Sequence, residues 1–456
     1  MEHADHIIIG TGQATGTLLG KLIPTGERIV VFEGHKVGGS CVNYGCTPTK
    51  TLVASARAAH MARRAAFYGV DIPEPKIDFA RVRERMNKIR NDSSDGLASW
   101  MEGSENVTLI RDWASFEGPR TVVGGGRRFE AKRIYINTGT RPSAPPVPGL
   151  DAVPWLDSER LLALEELPSH LVILGGGYIG VEFAQVFRRF GSEVTVLQLG
   201  DQLMPREDRD VAENVREILE SEGVRVVLQA TTHDVREVEG RIELAVSTPT
   251  GAQPISGSHL LVAAGRKPNT ERLQLENAGI EKSDRGYIVV DDRCRTSVDG
   301  VFAVGDVNGE GAFTHTAVND AEIVLDALFG GTRTISQRLP IYALFSDPPL
   351  GRVGMSEKEA VEKGHSVLKA TRPMSKISRA KEMGETQGFA KLLVDADSDL
   401  ILGAAILGPG GDEIINMFAA IMHSGIPCRS YREVVLVHPT VSELMPWVLD
   451  GLQPVE

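Results

Sequence analysis

The chain has 456 residues, 42% hydrophobic and 24% charged, with a net charge of −12. This is the balance of a globular protein of roughly three domains, and its acidity argues against nucleic acid or an anionic membrane as the main partner. Four cysteines, a short acidic start and no apolar run near the ~20 residues of a membrane span point away from a secreted or membrane protein, so the expected location is the cytoplasm.

The first element is a buried strand, His6-Ile7-Ile8-Ile9, followed by the turn Gly10-Thr11-Gly12-Gln13-Ala14-Thr15 and a helix. A second strand, Arg28 to Phe32, ends on Glu33. Strand, glycine turn, helix, strand and terminal acid form a dinucleotide-binding unit. Gly10 and Gly12 let the backbone approach a pyrophosphate, and Glu33 accepts from a ribose. Thr15 stands at the usual third small position.

Next comes Gly38-Gly39-Ser40-Cys41-Val42-Asn43-Tyr44-Gly45-Cys46-Thr47-Pro48-Thr49-Lys50, with position 40 expected among the glycine-type cofactor contacts. Pro48 suits a first helical turn, and the helix is expected to run through Thr51 to Ala66. A proline-rich crossing spans Arg141 to Gly149. The same grammar then returns: strand His170 to Leu174, turn Gly175-Gly176-Gly177-Tyr178-Ile179-Gly180, a helix to Phe190 stopped by Gly191, and strand Glu193 to Leu197 ending at Gln198. Two such units imply two dinucleotides and hydride transfer between them. Gly265 to Thr270 leaves the second unit, and Val301 to Asp306 is a further apolar strand capped by Gly-Asp. Beyond Pro340, Phe389 to Val394 and Leu400 to Leu407 read as a strand pair, followed by an amphipathic segment from Glu413 to His423.

The paired cysteines admit three uses. A structural zinc site needs four ligands in close pairs, and neither Cys294 nor Cys428 has a partner at ligand spacing. A structural disulfide would close a very short loop in a reducing compartment. A redox pair fits better, because a thiolate near a helix N-terminus and near Lys50 has its pKa lowered from ~8.5.

The Cys41–Lys50 segment resembles the active-site signature of the class I pyridine nucleotide–disulfide oxidoreductases, which include dihydrolipoyl dehydrogenase, glutathione reductase and mercuric reductase. The resemblance extends over nearly the whole chain. It includes both glycine motifs, Asn137-Thr138-Gly139-Thr140-Arg141-Pro142, Ala264-Gly265-Arg266-Lys267-Pro268-Asn269, Ala303-Val304-Gly305-Asp306, Phe345-Ser346-Asp347-Pro348-Pro349 and His438-Pro439-Thr440-Val441-Ser442-Glu443.

It implies an α/β fold with two Rossmann-like dinucleotide-binding domains and a C-terminal α+β dimerisation domain. The expected divisions are 1–150 and 271–338 for FAD, 151–270 for NAD(P) and 339–456 for dimerisation. FAD is expected at Gly10, Gly12, Glu33, Thr138, Gly139 and Asp306. NAD(P)H is expected at Gly175, Gly177, Gly180, Gln198 and Gly265, with Tyr178 as a gate. Lys50 and Glu182 form an ion pair beside the flavin, Cys46 is the flavin-proximal sulfur, and Cys41 exchanges with substrate. His438, oriented by Glu443, is the acid/base and reaches the disulfide of the other subunit of a homodimer. Cys294, His423 and Cys428 match no functional position and are read as structural.

The wording around the cysteines, with Thr47 and Thr49, resembles mercuric reductases most. Two departures stand against a simple transfer of substrate. The chain ends Asp450-Gly451-Leu452-Gln453-Pro454-Val455-Glu456 without a vicinal cysteine pair, and Leu436 stands where lipoamide dehydrogenases carry a second histidine. The acceptor is therefore a disulfide or related oxidant, with a metal ion or a quinone or oxygen reduced directly by flavin as alternatives. A flavin-based redox sensor is the reading from another class. Neutral Gln198 does not choose between NADH and NADPH.

Overall fold

An apolar run without polar breaks suits a strand covered on both faces, and His6 to Ile9 is the inner half of the strand Glu2–Ile9. The structure, a computed structural model, describes residues 1–455. Across the first sheet run Val107–Ile110, Ile29–Phe32, Glu2–Ile9 and Arg127–Ile136, all parallel, with Val301–Ala303 alongside the end of the last. The start of Arg127–Ile136 also turns into an antiparallel meander with Thr121–Gly124 and Ser115–Gly118.

The second unit repeats this plan. Arg225–Val227, Glu193–Leu197, His170–Leu174 and His259–Val262 are parallel, and the meander is Thr231–Val238, Arg241–Thr248, Gly251–Gly257. The two stretches read as linkers are not independent crossings: Thr140–Pro142 and Arg266–Pro268 pair with each other as an antiparallel ribbon. The third unit is a six-stranded antiparallel sheet in which Phe389–Asp395 and Ile401–Leu407 are neighbours. Ile415, Phe418 and Ile421 of the helix Gly411–His423 cover it. Among the described residues, no helix is long and apolar enough to cross a membrane.

One apolar cluster joins all three units. It takes Leu52 and Ala56 from the helix Cys46–Arg63, Phe183 and Phe187 from the helix Tyr178–Phe190, and Leu344, Leu350, Phe389 and Leu407 from the third sheet. A buried ion cluster adds direction to this contact. The Lys391 ammonium, 0% exposed, meets Asp208 at 2.8 Å, Asp210 at 2.6 Å and Glu357 at 2.8 Å. Arg352 adds a second cation on Asp208 at 2.9 Å. The three carboxylates have the spacing of a cation site, and Lys391 is the cation that fills it.

Removing one partner of a buried ion cluster leaves the others uncompensated, at a cost of about 3–5 kcal/mol. Lys391→Met is therefore expected to lower the thermal unfolding midpoint markedly. An unchanged midpoint would show that Arg352, Lys369 and solvent, not Lys391, balance the three acids.

Candidate active site

Two helices deliver the cysteines. Cys41 lies in the short helix Gly39–Asn43, the chain breaks at Tyr44-Gly45, and Cys46 opens the helix Cys46–Arg63. The loop is tied down by Asn43, whose buried amide donates to the Val37 carbonyl at 2.9 Å and the Gly39 carbonyl at 3.0 Å. The helix start carries neither a side-chain cap nor an acid in its first turn. Its free backbone N–H groups therefore present partial positive charge to the first residue, Cys46.

Cys41 and Cys46 are free thiols in this structure. The hydroxyl of Thr314, first residue of the helix Thr314–Leu328, donates to Cys41 Sγ at 3.1 Å and lies 3.4 Å from Cys46 Sγ. The neighbouring Cys41 thiol, then the Thr314 hydroxyl and the Lys50 ammonium, pull Cys46 down to about 6 against the opposing effect of burial. The same pairing, together with burial, pushes Cys41 far up. The pair thus holds one proton, on Cys41, and one negative charge, on Cys46.

Lys50 lies one turn after Cys46 and meets Glu182 at 2.9 and 2.8 Å. Glu182 is buried on the helix that follows the second glycine turn, and it also accepts the Phe345 N–H at 3.0 Å. The Lys50 ammonium sits 4.6 Å from the centre of the Phe345 ring. Residues from all three units therefore converge within two side chains of the thiolate.

The first glycine turn is a close backbone approach. A Cβ at Gly10, whose φ is +96°, would lie 2.4 Å from the Asn137 carbonyl oxygen. Glu33 Oε2 accepts from the Thr11 N–H at 3.0 Å, and Oε1 from the His35 N–H at 2.8 Å. Asp306 accepts the Thr140 hydroxyl at 2.9 Å, and the Gly139 carbonyl accepts the Asn269 N–H at 3.0 Å. Thr138 donates to the Asn269 carbonyl at 3.0 Å, so Thr138 and Gly139 are held against the strand ribbon. One expectation is corrected: position 40 is an exposed serine, and the glycines at the mouth are Gly38 and Gly39, the latter pressed against Gly12.

The second turn is tighter. A Cβ at Gly180 would lie 2.1 Å from the Gly175 carbonyl oxygen, whereas the space before Gly177 and Gly265 is open. Gln198, 8% exposed, accepts the Gly176 N–H through Oε1 at 2.9 Å. It does in the second unit what Glu33 does for Thr11 in the first. Tyr178 begins the helix and donates its hydroxyl to Glu207 at 2.8 Å.

His438 stands apart from the rest. Its side chain is 76% exposed, and Nδ1 faces both oxygens of Glu443 at 3.0 and 2.9 Å. Among the described residues it makes no hydrogen bond to either cysteine of its own chain. Cys294 and Cys428 are buried in apolar clusters, and His423 ends the helix Gly411–His423. Sequence reasoning missed Thr314, which no local pattern distinguishes from any helix-starting threonine. It also missed Glu207.

The family model described as pyridine nucleotide-disulphide oxidoreductase matches residues 4–321, and that of its dimerisation domain matches residues 341–449. The probable pyridine nucleotide-disulfide oxidoreductase RclA of Escherichia coli is 38% identical, over 96% of either chain. The mercuric reductase of Lysinibacillus sphaericus is 32% identical over 97% of this chain and 81% of that one. The dihydrolipoyl dehydrogenase of Thermus scotoductus is 32% identical over 97% of this chain and 96% of that one. Among solved structures, the Cu(II) complex of the HOCl-induced flavoprotein disulfide reductase RclA from Escherichia coli has a TM-score of 0.89 at 36% identity, covering 99% of each chain.

The lowered Cys46 thiol has a direct consequence. In the reduced protein the ultraviolet absorbance of thiolate should rise through a midpoint near 6, so the thiolate is present above that pH and lost below it. Cys46→Ser should abolish this transition, and Cys41→Ala, which removes the leading cause of the shift, should move it upward. A single transition at the ordinary ~8.5 would contradict the assignment.

Proposed function

Since the chain belongs to the pyridine nucleotide–disulphide oxidoreductases, we propose that its own residues pass an electron pair from NAD(P)H, by way of FAD and the Cys41–Cys46 pair, to a disulfide acceptor. The family reaction is FAD-dependent oxidation of NAD(P)H, and FAD when bound supplies the redox group between nicotinamide and sulfur. The observation that carries the disulfide reading is the divided dithiol: one hydroxyl, Thr314, contacts both sulfurs, and the two are driven to opposite protonation states.

The cradles suit the two nucleotides. Gly10 and Gly12 leave backbone where a pyrophosphate needs it. Oε2 of Glu33 is taken up by the Thr11 N–H and hydroxyl, so Oε1 keeps the lone pair for the adenosine ribose, and Asp306, oriented by Thr140, serves the ribityl hydroxyls. Residues 1–150 and 271–338 would hold FAD, 151–270 the nicotinamide nucleotide, and 339–456 the dimer contact. Lys50, neutralised by Glu182, places a positive charge beside the thiolate without leaving a lone buried cation.

On the acceptor side, Cys41 is protonated and needs a base before it can attack. His438 of the partner subunit serves: Nδ1 is held by Glu443, so Nε2 takes the Cys41 proton. The Cys41 sulfur then attacks one acceptor sulfur and expels the other as a thiolate, which recovers that proton. The Cys46 thiolate attacks Cys41 of the mixed disulfide and expels the second acceptor thiolate. The acceptor has gained two electrons, and Cys41 and Cys46 are left as a disulfide. This chemistry fits a homodimer in the reducing cytoplasm.

A soft metal ion is the second reading. It is supported by the mercuric reductase likeness, since a thiolate pair is a soft-ion ligand. The test is turnover of Cys41→Ser with NAD(P)H and a panel of disulfides and thiophilic ions. Disulfide turnover should fall at least ~100-fold, the order lost with an essential acid–base or nucleophile step. Retained disulfide turnover would remove Cys41 from the reaction, and retained metal turnover alone would favour the second reading.

A further inference from the structure

The buried acid Glu207 has no place in the chemistry above, yet its surroundings are specific. It is 5% exposed, and one oxygen, Oε1, accepts two phenol hydroxyls: Tyr178 at 2.8 Å and Tyr342 at 2.7 Å. Its other oxygen, Oε2, is buried without any hydrogen-bond partner. An ordinary structural carboxylate would spread its donors over both oxygens, because an unpartnered buried acceptor is costly.

The two tyrosines are held very differently. The Tyr342 ring lies flat on Phe313, with centroids 5.3 Å apart and planes 5° apart, and Phe313 stacks in turn on His315. Tyr178 is at the first position of its helix, tilted 51° to Tyr342, with open space before the adjacent Gly177. Glu207 itself cannot follow a moving tyrosine. Its loop is pinned to the glycine turn by the Met204 N–H on the Gly176 carbonyl, at 2.8 Å. The next residue, Asp208, is gripped by Arg352 and Lys391 of the third sheet.

We propose that Glu207 is a positioning residue, a fixed latch that holds Tyr178 closed over the nicotinamide site, and that Tyr342 tunes the latch. This rests on the reading of Tyr178 as the residue that yields to nicotinamide. When Tyr178 swings out, Glu207 loses one donor and keeps Tyr342, so the open state stays affordable. Nucleotide affinity is then reduced by the fraction of protein in which the latch is shut.

The latch requires two substitutions to act in opposite directions. Glu207→Gln replaces a charged acceptor by a neutral one of roughly half the strength, so the closed state weakens. Tyr342→Phe leaves an opened Glu207 without any donor, so the closed state strengthens. The experiment is calorimetric titration of NAD+ and NADP+ into the FAD-loaded protein, with thermal unfolding as a control. Glu207→Gln should tighten binding of the preferred nucleotide roughly fivefold, and Tyr342→Phe should weaken it by a similar factor. Tyr178→Phe should match Glu207→Gln, and the double variant should bind no tighter than either alone. Affinity shifts of the same sign for Glu207→Gln and Tyr342→Phe, or additivity in the double variant, would reduce Glu207 to a packing residue and overturn the proposal. If affinity is unchanged while only the unfolding midpoint moves, the proposal fails too. A wild-type protein that binds neither nucleotide would sink the redox reading itself, and the latch with it.

Discussion

The structure depends on keeping one negative charge on sulfur next to a second, protonated sulfur. A thiolate is costly to hold at a partly covered site unless donors surround it. Here the stabilising groups come from different parts of the chain: the Cys41 thiol and Thr314 hydroxyl as donors, and the start of the helix Cys46–Arg63 and the Lys50 ammonium as positive charge. Thr314 is 268 positions from Cys46, so the helix Thr314–Leu328 must dock against the cysteine loop for the charge to persist. Glu182 comes from the second unit and accepts the N–H of Phe345, next to the third sheet. The site exists only where the three units meet.

That requirement explains where the buried charges lie. Lys391 with Asp208, Asp210 and Glu357 joins the second unit to the third sheet, and the apolar cluster around Phe187 and Leu407 joins both to the cysteine helix. Apolar contact supplies affinity between the units without direction. The ion cluster and the shared Glu207 supply the register that brings Tyr178, Glu182 and the thiolate into one neighbourhood. Asp208 and Glu207 are adjacent, so the same two residues serve the interface and the proposed gate.

What was legible in the sequence was mostly local. The strand–glycine–helix units are read within about thirty residues, because glycine positions and apolar runs determine a close turn directly. Cys46 and Lys50 are four apart at a helix start, so their meeting is also local. The family resemblance supplied Glu182 and the His438–Glu443 pair. Thr314, Tyr342 and Glu207 escaped because each acts on a partner far along the chain, and nothing in their immediate neighbours marks them. The pairing of Thr140–Pro142 with Arg266–Pro268 escaped for the same reason: proline and glycine signalled a turn, while the ladder is formed between distant segments. The helix Phe79–Glu102 is largely polar along its length, so its apolar face did not stand out.

The proposed function requires one further element, a base supplied in trans. His438 is exposed, oriented by Glu443, and touches neither cysteine of its own chain among the described residues, while the protonated Cys41 needs a base. Mixed dimers of Cys46→Ser and His438→Ala chains test this most directly, with heterodimers isolated by two affinity tags and assayed for NAD(P)H-dependent disulfide turnover. Each heterodimer holds one site with both native residues, so turnover should reappear at about half the wild-type rate per dimer although both parent homodimers are inactive. Isolated heterodimers as inactive as their parents would contradict a site shared between subunits.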